Sequence, residues 1–396
     1  MKSLLKVALA TTILAGSAVA SYAEDIKIGV FLGFTGPIES LVADMAPGAE
    51  LAIKEVSDSG ALLDGSKVVA VRADTTCIDA AAATTAAERL ITADGVKAIV
   101  GGDCSGVTTA ALQNVAVPNG IVMVSPSATS PALSTVADEG LFFRTAPSDA
   151  RQGEIVAAIL KEKGIGTVAL TYTNNDYGKG LADSIAKNFK DAGGTVTINA
   201  AHEDGKGDYT ADVGALAAAG GEILVVAGYL DQGGRGIIQA SLDAGAFDTF
   251  YLPDGMIGDA LPKAIGADLN GSFGAAPGTD SQGAKKFAEM AEANGFKAGP
   301  FSPESYDAAA LIMLAMQAAG SSDSAKLKEK VMDVANAPGE KIFPGELAKG
   351  LKILSEGGDV DYVGASAVEL IGAGESAGNY RQVEISDEAI KTVQFR

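Results

Sequence analysis

The chain has little of what most enzyme chemistry uses. Its 396 residues include one histidine, His202, and two cysteines, Cys77 and Cys104. A zinc centre needs a cluster of such ligands, so a metal site is disfavoured. His202 sits in AHEDGKGDYT, a polar stretch that reads as protein surface rather than as the seat of a catalytic base. Basic residues are also scarce. Thirty Lys and Arg stand against 50 Asp and Glu, for a formal charge of −20. Nucleic-acid binding rests on neutralising phosphates, so that partner is excluded, and anionic membranes are disfavoured. The charge suits solubility and a basic protein partner. Nucleotide and nucleophile signatures are missing too. GFTGP (33–37) does not match G-x-G-x-x-G, and neither GxxxxGK[ST] nor G-x-S-x-G occurs. The expectation is a protein with no cofactor, no metal and no catalytic residues. A secreted α/β hydrolase is the competing class, which turnover of a bound ligand would reveal.

Long apolar runs are confined to the start. MKSLLK carries two lysines, VALATTILAGSAVA (7–20) is apolar, and small residues follow at Ala18-Val19-Ala20 and Ser21-Tyr22-Ala23. This is the three-part pattern of a secretory signal peptide over 1–23. The run is too short for a membrane helix, and no cysteine follows it to carry a lipid. The mature chain is expected to be exported and soluble. In an oxidising compartment an even pair of cysteines reads as a disulfide between Cys77 and Cys104. Closing that loop would stabilise the fold by about 3–4 kcal/mol on the chain-entropy account.

What is present is alternation. IKIGVFL (26–32), KVVAVRA (67–73), KAIVG (97–101) and GIVMVS (120–125) are short β-rich runs. Helical patterns such as GAELAIKEVSDSG (48–60) and DAAAATTAAERLITADG (79–95) separate them. Apolar residues at nearly every strand position imply a parallel sheet covered on both faces. The alternation restarts at GTVALTY (166–172) and continues through GTVTINA (194–200), EILVVAG (222–228) and DTFYLP (248–253). Two doubly wound α/β units follow. FFRTAPSDA (142–150) and GAAPGTD (274–280) read as crossovers between them.

Ligands of open α/β sheets sit outside the carboxyl ends of strands. The first unit's exits carry Asp103-Cys104-Ser105-Gly106 and SPSATSPAL (125–133). Their hydroxyls could hold a carboxylate, each charge-assisted bond being worth about 1.5–3 kcal/mol; ordinary helix capping is the plainer use of the same residues. The second unit's exits present Tyr177, Tyr229 and Asp254, the last between proline and glycine in YLPDGM. Anion-binding turns on one unit and a carboxylate with aromatics on the other make a plausible zwitterion receptor.

These residues resemble a known family. IKIGVFLGFTGP, the Cys77…Cys104-Ser105 pair, SPSATSP, DYGKGLA (176–182), AGY, the PDG turn and ESYDAAAL run in the order found in periplasmic solute-binding proteins of ABC importers for branched-chain amino acids. The resemblance implies a type I periplasmic binding fold: two Rossmann-like lobes joined by three crossovers, with ligand in the cleft. On that pattern 24–145 and 277–360 form the N-terminal lobe, and 146–276 with 361–396 the C-terminal lobe. It also implies a Cys77–Cys104 disulfide. Ser105, Ser127 and Thr129 would hold the ligand α-carboxylate and share in binding its amino group, with Cys104 and Ala128 beside them in the same turns. Asp254 would be the ammonium's counter-ion, and Tyr177, Tyr229 and Tyr306 would line the cleft. Two departures stand out: Asp254 replaces a glutamate, and Ile38-Glu39-Ser40-Leu41 replaces an aromatic, placing Glu39 near the cleft. The implied role is a monomeric periplasmic receptor that carries an amino acid, or a related amide or aromatic acid, to a membrane permease. A ligand sensor for a chemoreceptor or receptor kinase is the alternative on the same fold.

Overall fold

A computed structural model describes residues 25–396, so the expected signal peptide lies outside the described residues. In chain order the strands are β1 (Ile26–Leu32), β2 (Val68–Asp74), β3 (Ala98–Gly101), β4 (Met123–Ser125), β5 (Phe142–Pro147), β6 (Thr167–Thr173), β7 (Thr195–His202) and β8 (Ile223–Ala227). They continue as β9 (Phe250–Leu252), β10 (Phe273–Pro277), β11 (Glu340–Ile342), β12 (Val360–Tyr362), β13 (Leu370–Ile371), β14 (Glu375–Ser376), β15 (Tyr380–Ser386) and β16 (Ala389–Phe395). One sheet runs β13-β14-β5-β4-β3-β1-β2, the other β16-β15-β10-β9-β8-β6-β7. Within each, five parallel strands take the same doubly wound order, with β1 between β2 and β3 and β6 between β7 and β8. β3 and β8 are buried at every position, as strands covered by helices on both faces must be. Among the described residues, no helix is long and apolar enough to cross a membrane.

Two sequence expectations shift. The sequence pattern places the first helix over 48–60. It begins at Glu39 instead and runs through Pro47 to Ser59. Leu41, Val42 and Met45 are buried along that added stretch, and burial of this kind outweighs one lost bond. The third crossover was placed at 360/361. Strands β13 and β14 extend the first sheet past β5, with Ser376 opposite Pro147 and Glu375 paired with the buried Arg144. The chain therefore changes sheet between Ser376 and Tyr380. Strands of two residues are too short to show a period in sequence.

The three crossovers lie side by side. Pro277 pairs with Tyr380, and the Gly278 N–H donates to the Asn379 carbonyl at 3.0 Å. Gly378 has φ +83°, and a Cβ there would fall 2.4 Å from the Pro147 Cβ. Glycine is required on both counts. Gly378→Ala is expected to cost about 2 kcal/mol, read as a lower urea midpoint with unchanged slope. An unchanged midpoint would show that the crossovers do not constrain one another.

Candidate functional site: a cleft between the lobes

The first lobe's wall starts at β3. Gly101 has φ +132°, and a Cβ there would lie 2.1 Å from the Phe31 carbonyl oxygen, so the strand can leave the sheet this way only as glycine. Asp103 follows, fully buried. Its carboxylate accepts from the Gly33 N–H, from Thr75 Oγ1 at 2.8 Å and from the Cys104 N–H at 2.9 Å. One side chain thus ties together the exits of β1, β2 and β3. Burial raises its pKa, and those bonds oppose the rise. Cys104 is joined to Cys77 by a disulfide, which pins the same corner. Ser105 opens the next helix; its Oγ accepts from the Ser130 N–H at 3.1 Å, leaving its own proton to donate. Ser127 Oγ lies 3.2 Å from the Asp103 carbonyl.

The second lobe's wall comes from β6, β8 and β9. Tyr177 sits in the first turn of the helix Asp176–Asp191, which Asn175 caps through the Gly178 N–H. Its ring stacks on Tyr229, with centroids 5.1 Å apart and planes 13° from parallel. Its hydroxyl donates to Asp254 Oδ1 at 2.6 Å, and the Gly255 N–H reaches the same oxygen at 2.8 Å. Behind Asp254, Gln152 Oε1 accepts from the Asp254 N–H at 3.1 Å while Gln152 Nε2 donates to Asp149 Oδ1 at 2.9 Å. Both carboxyls are pushed up by burial, and the Asp254 charge pushes Asp149 further. The neighbouring Asp254 charge, after burial, also raises the Tyr177 phenol.

The walls face each other across a small cavity, lined by Asp103, Cys104, Ser105 and Ser127 opposite Tyr177, Tyr229, Asp254 and Gly255, with Ile38, Leu41 and Phe301 at the apolar side. Two further hollows open between the lobes on either side of it, one lined by Leu41, Asp44 and Asp259, the other by Gly106, Asn175 and Asp176. Six of the residues singled out in sequence thus meet in one place. Three do not. Ala128 is spent within its own lobe: its N–H donates to Ser125 Oγ and its carbonyl accepts from Arg144. The Thr129 hydroxyl is buried without a partner among the described residues, outside the cavity lining. Tyr306 is buried inside the first lobe, packed on Phe287 and donating to Glu55 at 2.5 Å. Its helix, Ser302–Ala319, is buried through most of its length, so the tyrosine turns into the core rather than the cleft. Glu39 is exposed and also absent from the lining. Sequence reasoning missed Asp103, Gln152 and Phe301. Of these only Asp103 carried a signal, lying in the same strand exit as Ser105.

His202 corrects another expectation. It ends β7 only 1 % exposed, with Nδ1 2.9 Å from Thr171 Oγ1 and its ring edge-on to Tyr209. The polar residues around it turn outward; the histidine turns inward beside Gly228 and Gly233. Burial pushes its pKa down to about 4.

A buried chamber between two like lobes, with hydroxyls on one wall and an unpaired carboxylate on the other, defines a two-lobed ligand-trapping receptor. The chain belongs to the periplasmic binding protein family, whose profile matches residues 25–345. This is a family of solute-binding proteins, not of enzymes. The chain is 32 % identical over 368 residues to a protein of Brucella melitensis named Leu/Ile/Val-binding protein homolog 3, covering 91 % of this chain and 94 % of that one. Its fold is similar to that of a branched-chain amino acid transporter substrate-binding protein of Streptococcus pneumoniae solved with isoleucine (TM-score 0.77, 22 % identity, 93 % and 99 % of the two chains covered). It is also similar to that of a solute-binding protein of R. palustris solved with benzoate (TM-score 0.75, 18 % identity, 94 % and 96 % covered).

The depressed His202 pKa has a stability consequence. Between its unfolded value near 6.5 and about 4, the unfolded chain binds the proton that the native chain refuses. Stability is therefore lost as pH falls through that window. The wild type should lose up to about 3 kcal/mol relative to His202→Gln between pH 6.5 and 4, measured by urea unfolding across that range. Parallel pH profiles would mean that the imidazole is accessible to protons in the native state.

Proposed function

We propose that the protein is the periplasmic substrate-binding component of an ABC importer, and that it captures an α-amino acid with an apolar side chain and delivers it to the permease. The observation that carries this reading is the Asp254 carboxylate. It is 1 % exposed, belongs to no ion pair among the described residues, and lines a cavity that has no lysine, arginine or histidine in its wall. A buried charge without a partner is costly. A ligand ammonium supplies the missing cation. The ligand carboxylate then meets Ser105 and the first-turn N–H groups of its helix, which have no intrahelical partners. Ile38, Leu41, Phe301 and the stacked tyrosines receive the side chain. A benzoate-like acid has no cation to offer Asp254, so the wall disfavours it. Closure follows because only a ligand touching both walls favours the closed arrangement over the open one.

Thermal unfolding of the mature protein against amino acids, amides and aromatic acids tests this. A ligand at 100 times its Kd stabilises by about 2.7 kcal/mol, a shift of a few degrees. Leucine, isoleucine or valine should shift the melting point, and Asp254→Asn should weaken their binding by about 100-fold or more, as expected when one partner of a buried charge pair is lost. A shift with amine-free acids alone would overturn the amino-acid assignment.

A further inference from the structure

The helix Glu39–Ser59 begins without a cap of its own. Its N-cap residue is Ile38, whose side chain offers no acceptor. Serine, threonine, aspartate or asparagine usually fills that place, because the first N–H groups of a helix need a partner. Here the partner comes from the other lobe. Asp231, in the loop after β8, accepts the Ser40 N–H on Oδ2 at 2.9 Å, and the Asp231 N–H donates to the Pro37 carbonyl at 3.1 Å. The same loop is tied to the ligand wall: Tyr229 stacks on Tyr177, and the Leu230 N–H donates to the Gly255 carbonyl at 3.1 Å. On the first lobe the capped turn carries Ile38 and Leu41, both lining the cavity.

We infer that Asp231 is a positioning residue for ligand retention: it caps the first helix across the cleft only when the lobes are closed, and so holds Ile38 and Leu41 over the ligand without touching it. This deepens the receptor reading above and rests on it. A second cross-lobe contact, Lys297 Nζ to Asp259 at 2.8 Å, has side chains 73 % and 52 % exposed. Exposed pairs of that kind contribute little. Asp231 is half-buried and bonded to backbone on both sides, so it is the stronger clasp. Because the clasp does not include the ligand, any ligand that closes the lobes brings it into play.

The test uses the full mature chain, Asp231→Ala and Asp231→Asn. Asparagine keeps an acceptor oxygen and alanine does not. In the ligand-saturated proteins, amide hydrogen exchange at Ser40 should quicken in Asp231→Ala and stay near wild type in Asp231→Asn, with the ligand-free melting temperature unchanged in both. With leucine as probe, Asp231→Ala should release it about five- to thirty-fold faster, or about 1–2 kcal/mol, with little change in association rate. Equal Ser40 exchange in wild type and Asp231→Ala overturns the proposal. So does a melting temperature lowered alike in both variants. If the wild type binds no amino acid but is stabilised by an amine-free acid, the ligand assignment fails, while Ser40 exchange with that acid bound still decides the clasp.

Discussion

The structure depends on a carboxylate placed between two lobes with no protein cation to meet it. Asp254 accepts from the Tyr177 hydroxyl and the Gly255 N–H, and both donors are neutral. They hold the charge in place without cancelling it. A site so built is at its most costly when closed and empty, and on the proposed reading a ligand cation relieves that cost. Gln152 keeps the carboxylate aimed, bonded to the Asp254 N–H on one side and to Asp149 on the other. The opposite wall has the complementary bias, with hydroxyls and helix-start N–H groups.

The two walls face each other because both lobes use one topology. In each, the strand order reverses beside the first parallel strand, so the loops leaving β1 and β3, and those leaving β6 and β8, diverge and open a crevice. Asp103 closes the first crevice's floor by gathering three strand exits. The second crevice is floored by the tyrosine stack and the turn at Asp254. Three adjacent crossovers join the lobes, which restricts their motion to a hinge that brings the crevices together.

Much of this was legible in the chain. The apolar runs marked the parallel strands, and glycine, serine and aspartate at their ends marked the ligand wall. Ser105, Ser127, Tyr177, Tyr229 and Asp254 stood out because strand exits are where such folds bind. The misplacements share a cause. Tyr306 was carried over from the family resemblance and His202 was read from its neighbours in sequence, whereas burial is decided by neighbours in space. The opening turns of the first helix depend on burial against the core rather than on a local signal, and the short pair β13–β14 had no period to detect.

By itself the sequence determined the alternation of elements, the pairing of the two α/β units and the residues at each strand exit, since these follow from local periodicity and turn chemistry. Only the tertiary structure decided that Asp254 would be buried unpaired, that Asp103 would be consumed in stapling strands, and that Asp231 would cap a helix through Ser40, 191 residues away from it. Those outcomes depend on which exits face each other across the cleft. No local pattern encodes that, because hydrogen bonding and desolvation act through distance in space and not along the chain.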